Sequence, residues 1–292
     1  MDLWPDYNTR IVLCGGGLLG LGAGIIGCFA LLKKRSLTGD ALAHASLPGV
    51  CLAYLIIGER SLPGLLFGAL VSGVVGISVI AVLRRWTRIK EDAAIGIVLS
   101  VFYGLGVVLL SVIQKPHPGR QPSGLNSFIQ GKAAGMLLED VYLLAGLVLV
   151  ALVAVVALYK EFRLVCFDQA FAQAQGWPTA RLDFSLMALV VLVVVIGLPT
   201  VGVLLMAALL IIPPVAARFW TERLGVMMFL AGLFGMASGM IGAVGSAVVK
   251  EVPTGPAIIL AAVSFFVVSL VLAPRRGLLA RTWRAVPRER PG

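Results

Sequence analysis

Phe184 to Ile212 reads FSLMALVVLVVVIGLPTVGVLLMAALLII, 29 residues without one charged side chain. A helix needs roughly 20 apolar residues to cross the hydrocarbon core of a bilayer. The run is therefore too long for one span and short for two. Its flanks sharpen the problem. Lys160, Arg163 and Arg181 precede it and PPVAARFWTERLG, 213 to 225, follows it, so both ends carry charge. One straight helix cannot begin and end on the same side of a membrane. Gly197, Pro199 and Gly202 fall in its middle, and broken helices are tolerated where the freed backbone is buried in protein or lines a cavity. The pattern predicts two short or tilted half-spans meeting near these three residues.

The rest of the chain has the same character. Of 292 residues 59% are hydrophobic and 13% charged, against roughly 25% charged in soluble domains. Further spans are predicted near 11 to 32, 40 to 57, 62 to 83, 92 to 113, 139 to 159 and 255 to 273, with another over the glycine-rich stretch around GLFGMASGMIG from Gly232. This is an all-α polytopic membrane protein with eight to nine transmembrane helices, nine if the half-spans count separately. The 34 glycines, as in GGGLLGLGAG from Gly15, suit close helix approach in lipid.

Charge sets the orientation. Lys33, Lys34 and Arg35, then Arg84, Arg85, Arg88 and Lys90, then Lys160, Arg163 and Arg181, and last the tail from Arg275 to Arg290 form four basic clusters. The positive-inside rule places them all in the cytoplasm, with the N-terminus outside and the C-terminus inside, as in a multi-pass protein of a bacterial-type inner membrane. The loop from Gln114 to Leu138 then lies outside, and its LNSFIQGKAAGML stretch suits an interfacial helix. A net charge of +10 held in loops and tail points to anionic lipid and not to nucleic acid. MDLWPDYNTR has no basic start, and no small-residue cleavage site follows, so the first apolar run reads as a mature span. Cys14, Cys28, Cys51 and Cys166 lack metal-ligand spacing and read as packing residues.

Within this apolar background DALAHASLPG, Asp40 to Gly49, is the chemically loaded segment. Residues four apart on a helix share a face, so Asp40 and His44 are placed to grip one cation. Pro48 has no N–H for the carbonyl of His44, which offers a third oxygen. An aspartate at the bilayer centre costs about 2.5 kcal/mol or more. The pair is therefore the candidate metal site. His117, between Pro116 and Pro118, reads as incidental.

Two segments on the basic side are more organised than plain loops. YKEFRLVCFDQAFAQAQGWP, from Tyr159, has helical propensity ended by Gly176 and Pro178. In IIPPVAARFWTERLG, from Ile211, two prolines suit a helix start before Arg218, Trp220, Glu222 and Arg223. Neither carries GxxxxGK with a following Ser or Thr, and no such phosphate-cradling loop occurs anywhere in the chain. It hydrolyses nothing itself, and a partner must supply energy.

DALAHASLPGV, EDAAIGIVLSVFYGLGVVLLS, FDQAFAQAQG, LLIIPPVAARF and VPTGPAIILAAVSFF, in this order, resemble the membrane permease subunit of ATP-binding-cassette (ABC) importers for manganese, zinc or iron. The resemblance covers about Leu32 to Pro274. It implies a type II ABC importer-like bundle forming one transmembrane permease domain over 1 to 292, with a coupling helix at about 213 to 224 and a basic cytoplasmic tail at 275 to 292. It also implies a two-fold permease dimer, identical or paralogous, cytoplasmic ATPase subunits and an extracytoplasmic metal-binding protein. Asp40 and His44 fall where the family carries its pathway ligands. Pro213, Pro214, Arg218, Trp220 and Arg223 fall in the coupling segment, with Glu222 as an alternative metal ligand on the way out. Glu251 departs from the aspartate often found in KEVPTGP.

One chain offers too few groups for a divalent ion, but a two-fold dimer offers two carboxylates and two imidazoles. That set suits Mn²⁺, Fe²⁺ or Zn²⁺ as transported substrate, with no permanently bound cofactor. Oxygen-rich ligation favours manganese, and the lack of a soft ligand disfavours copper(I). The competing reading is a metal carrier driven by an ion gradient with Asp40 as its coupling site. Against it, the spans hold few acidic residues and no second carboxylate for a relay.

Overall fold

The computed structural model describes residues 7–58, 61–114, 131, 135–249, 252–274 and 277–278. Eleven helices lie among them: α1 Tyr7–Leu32, α2 Ser36–Ile57, α3 Leu62–Trp86, α4 Glu91–Ile113, α5 Leu138–Ala157, α6 Tyr159–Phe167, α7 Gln169–Ala174, α8 Thr179–Val201, α9 Val203–Trp220, α10 Leu224–Val248 and α11 Thr254–Leu272. Eight are long and apolar enough to cross a membrane, and α9 supplies a shorter ninth apolar helix. His117, most of the 125 to 137 stretch, Glu251 and nearly all of the tail lie outside the described residues.

The central run resolves differently from two half-spans. Its break falls at Gly202, which takes φ +87°, a left-handed value that favours glycine. Gly197 and Pro199 lie inside α8. Each helix recruits residues beyond the apolar run, α8 from Thr179 and α9 onward to Trp220, so both approach full length. The apolar run alone hides this because helices extend into their charged ends.

The coupling segment also departs from expectation. Pro213 and Pro214 do not start a helix: they lie within α9, buried. Proline leaves the carbonyl four residues back without a donor, and for Pro214 that carbonyl belongs to Leu210. Here Gly27 of α1 comes up against it, so near that a Cβ on Gly27 would sit 1.9 Å from the Leu210 oxygen. Close Cα–H donors of this kind partly satisfy a freed carbonyl, and burial against a neighbouring helix makes the proline tolerable.

Glycine sets the main seam. A Cβ on Gly20 of α1 would lie 2.0 Å from the Gly235 carbonyl oxygen of α10, and one on Gly24 would lie 2.2 Å from that of Ala231. These antiparallel helices touch backbone to backbone, which only small residues permit. α2 and α3 repeat the device at Gly49 and Gly68. α8 and α9 occupy the interior, α8 against α1, α2, α3 and α5, and α9 against α1, α2, α10 and α11. Of the cysteines, Cys28 and Cys51 are buried and Cys166 partly buried. Cys14 is exposed, so the packing role expected for it does not hold within this chain.

Candidate metal pathway

α2 stays helical through Pro48, and the consequence for Asp40 and His44 is direct. One turn apart, they face each other with Asp40 Oδ1 3.6 Å from His44 Nε2. The imidazole is buried and its Nδ1 has no hydrogen-bond partner, while the Asp40 side chain keeps 35% exposure. Tyr103 of α4 packs edge-on against the imidazole, ring centres 4.8 Å apart at 78°. That contact fixes the ring plane without using either nitrogen.

The His44 carbonyl is not a third member of this group. Side chains on a helix lean towards its N-terminus, so His44 reaches back to Asp40, whereas its carbonyl points along the axis towards Pro48. The neighbouring turn is secured otherwise: Ser72 of α3 donates to the Ala45 carbonyl at 2.6 Å, and Ser46 donates to that of Leu42 at 2.8 Å. Among the described residues no three His, Cys, Asp or Glu side chains form a group able to hold a metal. Glu222 therefore does not join Asp40 and His44 within one chain.

A second polar arrangement lies just before Asp40. Arg35, in the α1–α2 turn, donates from Nη1 to Asp183 of α8 at 2.7 Å and also pairs through Nε with Glu91 of α4. Lys33 pairs with the other Asp183 oxygen. Arg84 of α3 reaches Glu91 at 3.2 Å. The network ties four elements together at the basic end of the bundle. Sequence reading took Lys33 and Arg35 as topology markers only, and no local pattern links them to residues roughly 60 and 150 positions away.

The expected coupling residues separate. Trp220 donates from Nε1 to Ser269 of α11 at 2.9 Å, so it does work inside the bundle. Arg218 donates to the Glu222 carbonyl at 3.4 Å. Glu222 and Arg223 are exposed in the α9–α10 turn, where they border a cleft of about 950 Å³ whose other wall is α6 with Asp168, Gln175 and Trp177, which flank α7. The helix read in FDQAFAQAQ forms as α7: Asp168 accepts from the Phe171 N–H at 2.8 Å, and Gly176 ends the segment at φ +81°. Phe167, Phe171 and Trp177 around it are exposed. Burial pushes the Cys166 thiol up to about 11, against the lowering effect of Lys33 and Arg35.

A polytopic helical bundle with a carboxylate–imidazole pair inside it has the make-up of a transporter's membrane subunit. Residues 6–273 match the ABC 3 transport family, and the chain belongs to that family. In it this chain is the translocation component of an ABC transporter, not an enzyme, and works with ATPase and substrate-binding partners. Family membership also decides against a gradient-driven carrier. The chain is 48% identical over 286 residues to the manganese transport system membrane protein MntC of Bacillus subtilis, covering 97% of this chain and 66% of that protein. It is 45% identical over 284 residues to the zinc transport system membrane protein TroC of Treponema pallidum, covering 97% and 95%. Among solved structures it resembles PsaBC from Streptococcus pneumoniae in complex with Fab, at a TM-score of 0.82 and 31% identity, covering 94% of this chain and 95% of the other.

Proposed function

We propose that this chain, as one permease domain over 1 to 292, carries a divalent transition metal inward across the bacterial inner membrane, with manganese favoured over zinc or iron. The observation that carries the reading is the Asp40–His44 pair, with the buried Nδ1 of His44 unpartnered. An imidazole nitrogen and an ionised carboxylate are ligands for such ions. The names of the relatives divide between manganese and zinc, and the carboxylate favours the harder ion. The basic end, with Arg35, Arg84 and Arg163, faces the cytoplasm, so the N-terminus is outside.

The ATPase docks on the exposed part of the expected coupling segment, Glu222 and Arg223, together with α6 and α7. The exposed rings of Phe167 and Trp177, which line the 950 Å³ cleft, and of Phe171 on the same short helical segment support this. Pro213 and Pro214 act from inside α9, and Trp220 ties the end of that helix to α11 through Ser269.

The test is radiometal uptake in cells carrying Asp40→Asn or His44→Ala, with assembly checked by co-purification of the ATPase. Both variants should assemble and lose uptake of manganese by tenfold or more. Near-normal uptake by both removes the proposed site. Competition by unlabelled zinc or iron in the same cells identifies the metal.

A further inference from the structure

The basic end of the bundle holds a second cavity, of about 370 Å³, between α3, α8 and the first turn of α2. Neither Asp40 nor His44 lines it. Its wall changes character with depth. Ile77, Ile80 and Met187 form the inner part, and Arg84, Arg85, Gln173 and Thr179 the outer part. The seven residues from Ile77 to Arg84 rise about 10 Å along α3. The slot therefore runs from apolar core to basic surface, the same order in which a phospholipid runs from chains to phosphate. Ala81 and Phe184 line it and are exposed, so it opens to the outside of the chain. Trp86, 81% exposed at the end of α3, marks the headgroup level that tryptophan favours.

The charges of the slot favour an anion. Both carboxylates that line it are already taken, Asp183 by Lys33 and Arg35 and Glu91 by Arg35 and Arg84, which leaves no free acidic ligand for a cation. Arg85 makes no ion pair among the described residues. Arg84 reaches Glu91 through one nitrogen, and a guanidinium has further donors to give. Thr38 also lines the slot; it is 4% exposed and its Oγ1 has no hydrogen-bond partner. Buried polar groups are normally satisfied, so this hydroxyl is an inner polar contact left open. Guanidinium groups pair with phosphate oxygens by charge-assisted hydrogen bonds, and basic pockets between membrane helices on the cytoplasmic side suit phosphate headgroups.

We propose that this slot is a binding site for an anionic phospholipid of the cytoplasmic leaflet, with Arg84 and Arg85 on the lipid phosphate, Thr38 at the inner end of the headgroup, and the first part of the chains against Ile77, Ile80 and Met187. Because Arg84 also holds Glu91, and Arg35 joins Glu91 to Asp183, the phosphate joins the charge network that precedes α2. The permease is purified with its ATPase in neutral detergent, and bound lipid is counted by native mass spectrometry during titration with dioleoyl phosphatidylglycerol or dioleoyl phosphatidylcholine. Phosphatidylglycerol should bind more tightly by about tenfold or more, since each basic side chain near an anionic surface contributes about fivefold. Arg85→Gln, which breaks no ion pair among the described residues, should weaken phosphatidylglycerol about fivefold, and Arg84→Gln combined with it about twentyfold. Ala81→Trp, which fills the mouth, should weaken it with both arginines present, while Arg163→Gln on α6 should not. Equal binding of the two lipids, no loss in the arginine variants, no loss in Ala81→Trp, or an equal loss in Arg163→Gln overturns the site. Displacement of the lipid by excess inorganic phosphate would show a site for free phosphate only and overturns the lipid assignment. None of these readouts depends on the metal carried, so they stand or fall apart from the Asp40–His44 site.

Discussion

Gly20→Ala adds one methyl group where α1 and α10 meet. The new Cβ would stand 2.0 Å from the Gly235 carbonyl oxygen, and that oxygen belongs to the helix backbone, which has no rotamer to change. The helices must part by about an ångström to reach ordinary contact, and a gap of 0.5–1 Å forfeits a quarter to a half of each contact along the seam. Overpacking of this kind costs about 3 kcal/mol at the upper end of its range, and alanine's better helix propensity returns up to about 1 kcal/mol. The net loss of about 2 kcal/mol corresponds to a fall in Tm of roughly 4 °C for a chain of this size. The control is Gly146→Ala in α5, where a Cβ meets nothing within 4 Å and only the propensity gain applies. Fluorescence-detected thermal unfolding of both variants in one detergent should move in opposite directions. If Gly20→Ala melts with Gly146→Ala, the backbone seam is not what holds α1 to α10.

Asp183→Ala leaves Lys33 and Arg35, 5% and 10% exposed, without their shared carboxylate, and breaking such a pair costs about 3 kcal/mol, read as lower Tm and expression. Trp220→Phe removes the donor to Ser269 and should cost about 1 kcal/mol, seen as a smaller Tm shift. The Cys166 thiol, held up to about 11 by burial, should resist alkylation at pH 8 in the folded protein and react on denaturation. Because its folded value lies above the ordinary one, its protonated form stabilises the fold below about pH 9, and that contribution falls as pH rises from there towards 11. A urea midpoint that rises over this interval in the wild type, relative to Cys166→Ala, would contradict the sign.

Much of this was legible because membrane insertion makes strong demands on composition. The spans, the one-turn spacing of Asp40 and His44, and the α7 stop at Gly176 all follow from local rules. The misreadings share a cause, which is that neighbouring helices override local signals. Two prolines in sequence look like a helix start, yet Pro213 and Pro214 sit inside α9 because Gly27 of α1 covers the carbonyl that Pro214 frees. Trp220 looked like surface, yet Ser269 lies 49 residues away in sequence and 2.9 Å away in space. The Arg35–Asp183–Glu91 network was illegible for the same reason.

These long-range contacts also relate the two ends of the proposed mechanism. Leu210 of α9 carries the carbonyl against Gly27, and its Cδ2 stands 2.5 Å from where a Cβ on Gly39 would be. Gly39 directly precedes Asp40. The helix that begins at the Gly202 break and ends at Trp220, beside the exposed Glu222–Arg223 turn, is thus packed through the Leu210 side chain against the turn of α2 that bears the carboxylate. α9 is held by its backbone against α1 at Gly27, and it meets the α2 turn through the tip of the Leu210 side chain. On the proposed function, Leu210 is the side chain through which movement of α9 at the basic end would reach the turn that bears Asp40, so Leu210→Ala should weaken coupling of ATP hydrolysis to uptake while the Asp40–His44 pair stays in place.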